Sequence, residues 1–284
     1  MEAPAYSVVG SLQRVDARSA IRLPFEPKGW LLDFRKELRT SLRAMRTADA
    51  SVLLAEYATP DEDFADLENV LLYNVGSGSY SHLTRRGMIC RRVQSADEFH
   101  RVSYTVTDRT EWPEFAGRLL ATASLDEPAR GHTPLPWWSA LRQRFRVQSD
   151  LLHQRQFAIT VELGVGWHRG QLSSMLKPIL DGLVSALHVH DGSSRERITT
   201  ALGETGDGGR LWSLLNDPTI AILGQRRLVR PHGSGIAWNP ADELCGSFRV
   251  IRSLREEAVA VAVLAIEDVI VPSTRSALSR ARDS

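Results

Sequence analysis

The sequence predicts an α/β or α+β protein of two related halves, each with a basic amphipathic helix, strands of a mixed sheet and a packing helix. Three observations carry this expectation. Apolar residues alternate between helical and strand spacing along the chain, a stretch rich in Pro, Gly and charge interrupts the pattern near the middle, and a similar Arg-rich helix opens on either side of it. The 284 residues suffice for one large domain or two small ones.

The elements follow in order. Past an aperiodic start, Trp30 to Arg46 sets Trp30, Phe34, Leu38, Leu42 and Met45 at helical spacing, with Arg35, Lys36, Arg39, Arg43 and Arg46 on the flank. Ser51 to Tyr57 reads as a strand stopped by a turn-rich segment, and the apolar stretch from Leu67 to Val75 runs into the Gly76 to Ser79 loop. Gly87 to Val93 and Arg101 to Thr107 read as further strands, and a helix is expected near Trp112 to Ala121. The segment Ser124 to Pro136 reads as a linker, giving domains 1–127 and 128–284. Beyond it come a helix from Trp137 to Gln148, a strand from Phe157, and a helix from Ser173 to Leu187 with Pro178 expected in or near its first turn. A polar helix, a mobile loop at 203–210, a short helix near Trp212 and strands ending in the apolar run Ala258 to Ile266 complete the chain.

The two halves also match residue by residue. Trp30, Phe34, Arg35, Leu38 and Arg39 align without a gap on Trp137, Leu141, Arg142, Phe145 and Arg146, and Val52 precedes Asp66 by the same interval as Phe157 precedes Gln171. An internal repeat packed about a pseudo-twofold axis is the expectation, with chance similarity of two basic helices as its rival.

Composition excludes several function classes. With 43% hydrophobic and 24% charged residues the chain is of ordinary globular make-up, neither collagenous nor disulfide-knotted. Cys90 and Cys245, its two cysteines, lack CxxC spacing and read as reduced structural thiols. No leader pattern is seen in Met1 to Leu12, and the longest apolar run falls far short of the ~20 residues of a span, so a cytoplasmic protein without membrane association is expected. A net charge of +1 supplies no global attraction for nucleic acid, so any such role must rest on local patches.

Two segments carry candidate chemistry. Asp66, Glu68 and Asn69 follow a strand and turn; if the backbone is extended there, the carboxylates project to one side and offer oxygens to Mg²⁺. Lys177 and Asp181, at i and i+4 of a helix, form either a surface ion pair or a phosphate-contacting Lys beside an acidic partner. The first segment resembles the opening of the RusA-type Holliday junction resolvase motif, Asp-x-Asp-Asn-Leu-x-Lys, with Asp66, Glu68 and Asn69 in place and Leu72 where the Lys belongs. The second is similar to its remainder, with Lys177, Asp181 and Asp191 in place but Gln171, Ser173 and Ser174 at the acidic and Asn positions. The resemblance covers about forty residues of each half and implies a small α/β nuclease fold, branched DNA as partner, and Mg²⁺ held by Asp66, Glu68 and Asp191. Since each copy lacks part of the motif, it implies a degenerate, nucleic-acid-binding form.

His188, His190 and Asp191 offer a rival transition-metal set, read first as a structural or surface pair because further ligands at hydrolase spacing are missing. Nucleic-acid contacts are expected from Arg35, Arg39, Arg43, Arg142, Arg146, Arg226 and Arg227, with Trp137, Trp138 and Trp238 as stacking candidates. The leading expectation is nucleic-acid binding in DNA processing or defence. A metal-dependent hydrolase and a non-catalytic protein-interaction module are the alternatives.

Overall fold

Strand pairing joins both expected halves in one ten-stranded mixed sheet. The computed structural model describes residues 5–48, 51–60, 65–95, 97–108, 117–127, 129, 131–149, 156–164, 172–203, 207–253 and 258–266. The first part contributes β1 (Tyr6–Gly10), β2 (Arg14–Ser19), α1 (Trp30–Ala44), β3 (Ser51–Thr59), β4 (Gly87–Gln94), β5 (His100–Asp108) and β6 (Leu119–Leu125). There follow α2 (Pro134–Arg142), β7 (Arg146–Val147), β8 (Phe157–Leu163), α3 (Leu172–Ala186), β9 (Val189–His190), α4 (Arg195–Gly203) and α5 (Gly208–Leu215). The chain continues through β10 (Gln225–Arg226), β11 (Val229–His232), β12 (Gly235–Trp238), β13 (Cys245–Arg252) and β14 (Val259–Ala265). The large sheet runs β1-β2-β5-β3-β4-β13-β8-β14-β6-β7, and two small ribbons, β9 with β10 and β11 with β12, stand apart from it. This is the mixed helix and sheet content expected.

The pairings follow one scheme twice. β3 pairs β4 in parallel and β5 antiparallel; β8 pairs β13 in parallel and β14 antiparallel. β2 flanks β5 as β6 flanks β14, and the two sets meet where β4 runs antiparallel to β13. α1 precedes β3, α2 precedes β8, and each parallel connection passes through a helical segment. The second connection is much longer, carrying α4, α5 and both ribbons. β6 lies before residue 127 yet pairs with β14, so the sheet crosses the expected linker without a break.

Alternation decides which face of each strand is buried. In β8, Phe157, Ile159, Val161 and Leu163 join the core, while Thr160 and Glu162 point to the opposite face. In β3 the core set is Leu53, Ala55 and Tyr57, with Glu56 opposite. α1 buries Leu31, Phe34, Leu38 and Leu42, each contributing about 1.5–3 kcal/mol by area removed from water. It ends where Met45 turns extended. α2 and α3 approach so closely that a Cβ on Gly182 would stand 2.5 Å from the Trp137 Cβ and 2.8 Å from the Pro134 carbonyl oxygen. Only glycine fits there, and the next residue back is Asp181.

Several expectations are corrected. The aperiodic start forms the β1–β2 hairpin, and Ala121 lies in β6 rather than in a helix, with residues 109–116 outside the described set. Pro178 sits inside α3 instead of near its first turn. Gly208 to Arg210 begins α5, where the Asp207 carboxylate accepts the Arg210 N–H at 3.2 Å as a cap, rather than extending a loop. Among the described residues no helix is long and apolar enough to cross a membrane.

Candidate functional site

Where an extended run was expected at Asp66 to Asn69, the backbone is helical from residue 67. Asp66 caps this short helix, its Oδ1 accepting the Glu68 N–H at 2.9 Å and the Asn69 N–H at 3.3 Å, while the Asn69 amide donates to Oδ2. Asn69–Tyr73 then continues as a π-helical turn. The Tyr104 hydroxyl donates to the Leu71 carbonyl at 2.7 Å and the Asn74 amide to the Leu23 carbonyl at 2.8 Å, fixing the turn against β5 and the chain before α1. Helical winding directs Glu68 inward, where its side chain is only 7% exposed.

There it meets α3. Lys177 Nζ lies 3.1 Å from Glu68 Oε2 and 3.4 Å from Asp181 Oδ1, so one ammonium bridges carboxylates from both parts of the chain. A further acid comes from the turn ahead of β13, where the Asp242 carboxyl hydrogen-bonds Asp66. Asp66, Glu68, Asp181 and Asp242 line one cleft with Leu180, Val184, Cys245 and Phe248. The free space there is about 10 Å³, the room of about one water molecule. Arg92 on β4 ties two of the contributing segments together by donating to the carbonyls of Ala65 and Glu243.

Four acids share one ammonium, and the proton affinities of Glu68, Asp181 and Asp242 rise. Burial pushes Glu68 up to about 7 against the pull of Lys177, with Asp66 and Asp181 adding to the rise. Burial, then the neighbouring Asp66 and Asp181, likewise hold Asp242 well above the ordinary carboxylate range, and Asp181 is raised by burial. Burial alone would lower Lys177, but Glu68, Asp181 and Asp66 outweigh it and hold the ammonium above its ordinary value. Burial thus favours the protonated forms of Glu68, Asp181 and Asp242. Burial also raises both thiols, Cys90 and Cys245, which keeps them unreactive.

The structure therefore brings together Asp66, Glu68, Asn69, Lys177 and Asp181. Asp191 stands elsewhere, accepting the Ser193 N–H at 2.9 Å and lying 3.5 Å from His190 Nε2. The two His rings are packing groups: His188 Nδ1 faces the Gly224 carbonyl at 3.2 Å and its Nε2 accepts the Ala241 N–H at 3.2 Å. Burial lowers His188 to about 4, so it is neutral. His190 Nε2 reaches the Ser193 carbonyl at 3.0 Å.

A Mg²⁺ ion here would have to compete with partners that the carboxylates already have. The Asp66 oxygens accept from helix N–H groups and Asn69, one oxygen each of Glu68 and Asp181 faces Lys177, and Asp242 is bonded to Asp66. Among the described residues no three His, Cys, Asp or Glu side chains are arranged to hold an ion.

The arginines divide between structure and surface. Arg142, expected at a nucleic-acid surface, is instead buried, donating to the carbonyls of Ala186, His188, Leu214 and Asp217 and thereby closing the end of α3. Trp137 and Trp138, expected to stack on bases, are fully buried. Arg146 is exposed, Arg226 lies 3.5 Å from Glu243, and Arg227 reaches the Ser194 hydroxyl at 3.5 Å. Arg35 donates to the Phe25 carbonyl at 3.1 Å, Arg39 to that of Val75, and Arg43 is exposed. Sequence reasoning missed Asp242 and Arg92. Asp242 sits in an ordinary polar turn that nothing in the local pattern separates from a solvated one, and Arg92 follows another Arg on a strand whose facing only the register decides. No protein-family model matches the chain, and neither does any curated protein.

Proposed function

We propose that the chain is a nucleic-acid-binding protein related to the RusA-type junction endonucleases, built from two halves of common ancestry. Its two partial motifs would form one composite acid–lysine site. The observation that carries this reading is the Lys177–Glu68 ion pair, which joins the acidic opening of the resembled motif to its Lys-bearing remainder across 109 positions of sequence. The repeated strand pairing, β3 with β4 and β5 and β8 with β13 and β14, supports duplication. With Lys177 engaged by two carboxylates, the site holds the two halves in register, and binding falls to the exposed arginines.

Gel shifts on four-way-junction, duplex and single-stranded DNA across a salt series test the proposal. Binding that weakens steeply with ionic strength, without strand cleavage in Mg²⁺, is expected, because phosphate contacts release counterions. Absence of binding to all three overturns it in favour of a protein-interaction role. Cleavage in Mg²⁺ that Asp66→Asn abolishes overturns the non-catalytic part and makes the chain a metal-dependent nuclease.

A further inference from the structure

Among the described residues Phe25 and Tyr73 are two of the few large apolar side chains left in solvent, 55% and 51% exposed, and they stack on each other with ring centroids 5.2 Å apart and planes 17° from parallel. Beside them runs an arginine ladder. Arg35, Arg39 and Arg43 recur every fourth residue of α1 and so share one side of the helix. Arg35 is tied to Phe25 through its carbonyl, and Arg39 to the Tyr73 turn through the Val75 carbonyl. The guanidinium of Arg39 lies so close to the loop that a Cβ on Gly76, whose φ is +95°, would come within 2.7 Å of Nη2. None of the three arginines forms an ion pair among the described residues. Burial and then the like charges of Arg35 and Arg43 lower Arg39, a repulsion that an anion would relieve.

We infer that this surface binds single-stranded nucleic acid, with unpaired bases stacking on the Phe25–Tyr73 platform and successive phosphates against Arg35, Arg39 and Arg43. Aromatic faces accept any base, and a cationic row tracks a backbone. A duplex hides its base faces and gains only the row. Tyr73 ends the short helix at whose start Glu68 lies. The inference rests on the nucleic-acid reading above and specifies the unpaired strand as its ligand.

Fluorescence anisotropy with labelled oligothymidylate and a duplex of equal length tests it. The full chain is expected to prefer the single strand. Tyr73→Ala should weaken that complex by roughly 5- to 100-fold while sparing duplex binding, and Tyr73→Phe should restore it, since the ring face does the stacking. Arg43→Ala, at an exposed position that leaves the fold intact, should lower the slope of log affinity against log salt by about 0.7. Single-strand binding unchanged in Tyr73→Ala, or an unchanged slope in Arg43→Ala, overturns the platform, as does binding of duplex or junction DNA without single-strand binding; in each case the broader reading stands. Failure to bind any nucleic acid removes both and leaves the aromatic pair to a protein partner.

Discussion

Glu68 binds its proton more tightly folded, at about 7, than at its ordinary 4.5, so folding takes up a proton between those values and stability falls as pH rises through them. Asp242 shifts in the same direction. Thermal melts followed by circular dichroism should therefore show a declining Tm from about pH 5 to about pH 8. Asp242→Asn keeps a hydrogen-bond donor for Asp66 and removes the ionisation, and should raise stability near pH 8 by on the order of 1–2 kcal/mol while changing little near pH 4. Lys177→Met leaves Glu68 and Asp181 without their cation. It should cost about 1–2 kcal/mol near pH 7, discounted because Lys177 is 37% exposed, and less near pH 5, where protons replace the ammonium. A pH-independent Tm, or a Lys177→Met variant as stable as the parent at both pH values, contradicts this account of the cluster.

Between elements, the seam of α2 with α3 sets where Asp181 stands. Gly182→Ala drives a methyl into the Trp137 side chain and the Pro134 carbonyl, and about 1–3 kcal/mol of destabilisation in urea titration is expected. Arg142→Lys keeps a charge but loses the planar fork that serves four carbonyls at the end of α3, and should destabilise by at least as much. Which elements form was largely legible from sequence. The apolar spacing of Leu31, Phe34, Leu38 and Leu42 marks α1, and the alternation from Phe157 to Leu163 marks β8. The candidate site was legible in its pieces only. The spacing of Asp66, Glu68 and Asn69 is equally compatible with an extended or a helical backbone, and what selected the helix, the Asp66 cap and the Tyr104 hydroxyl, lies partly on a distant strand. Arg142 was misplaced because helical periodicity assigns a residue to a flank without showing that another part of the chain covers that flank.

For the whole molecule, the β4–β13 pairing makes one sheet of both halves. Urea unfolding should be a single transition, coincident by circular dichroism and tryptophan fluorescence, and a fragment of residues 1–127 should fail to give a sharp melt because β4 loses β13 and β6 loses both its neighbours, β14 and β7. Separate transitions, or a cooperatively folding fragment, would establish two autonomous domains instead. The convergence of Lys177 on Glu68 could not be foreseen from sequence, since it depends on which strand edges meet, a choice settled by long-range pairing and not by local pattern.

That same pairing has a consequence during synthesis. β4 leaves the ribosome about 150 residues ahead of β13, roughly 10–30 s at about 5–20 residues per second. Throughout that interval its edge presents unpaired N–H and C=O groups, an invitation to any neighbouring nascent chain on the same message. A second copy offering its own β13 would complete the edge as well as the chain's own segment does, so the natural error of this architecture is a strand-exchanged dimer in which each acid–lysine cluster is built from two polypeptides.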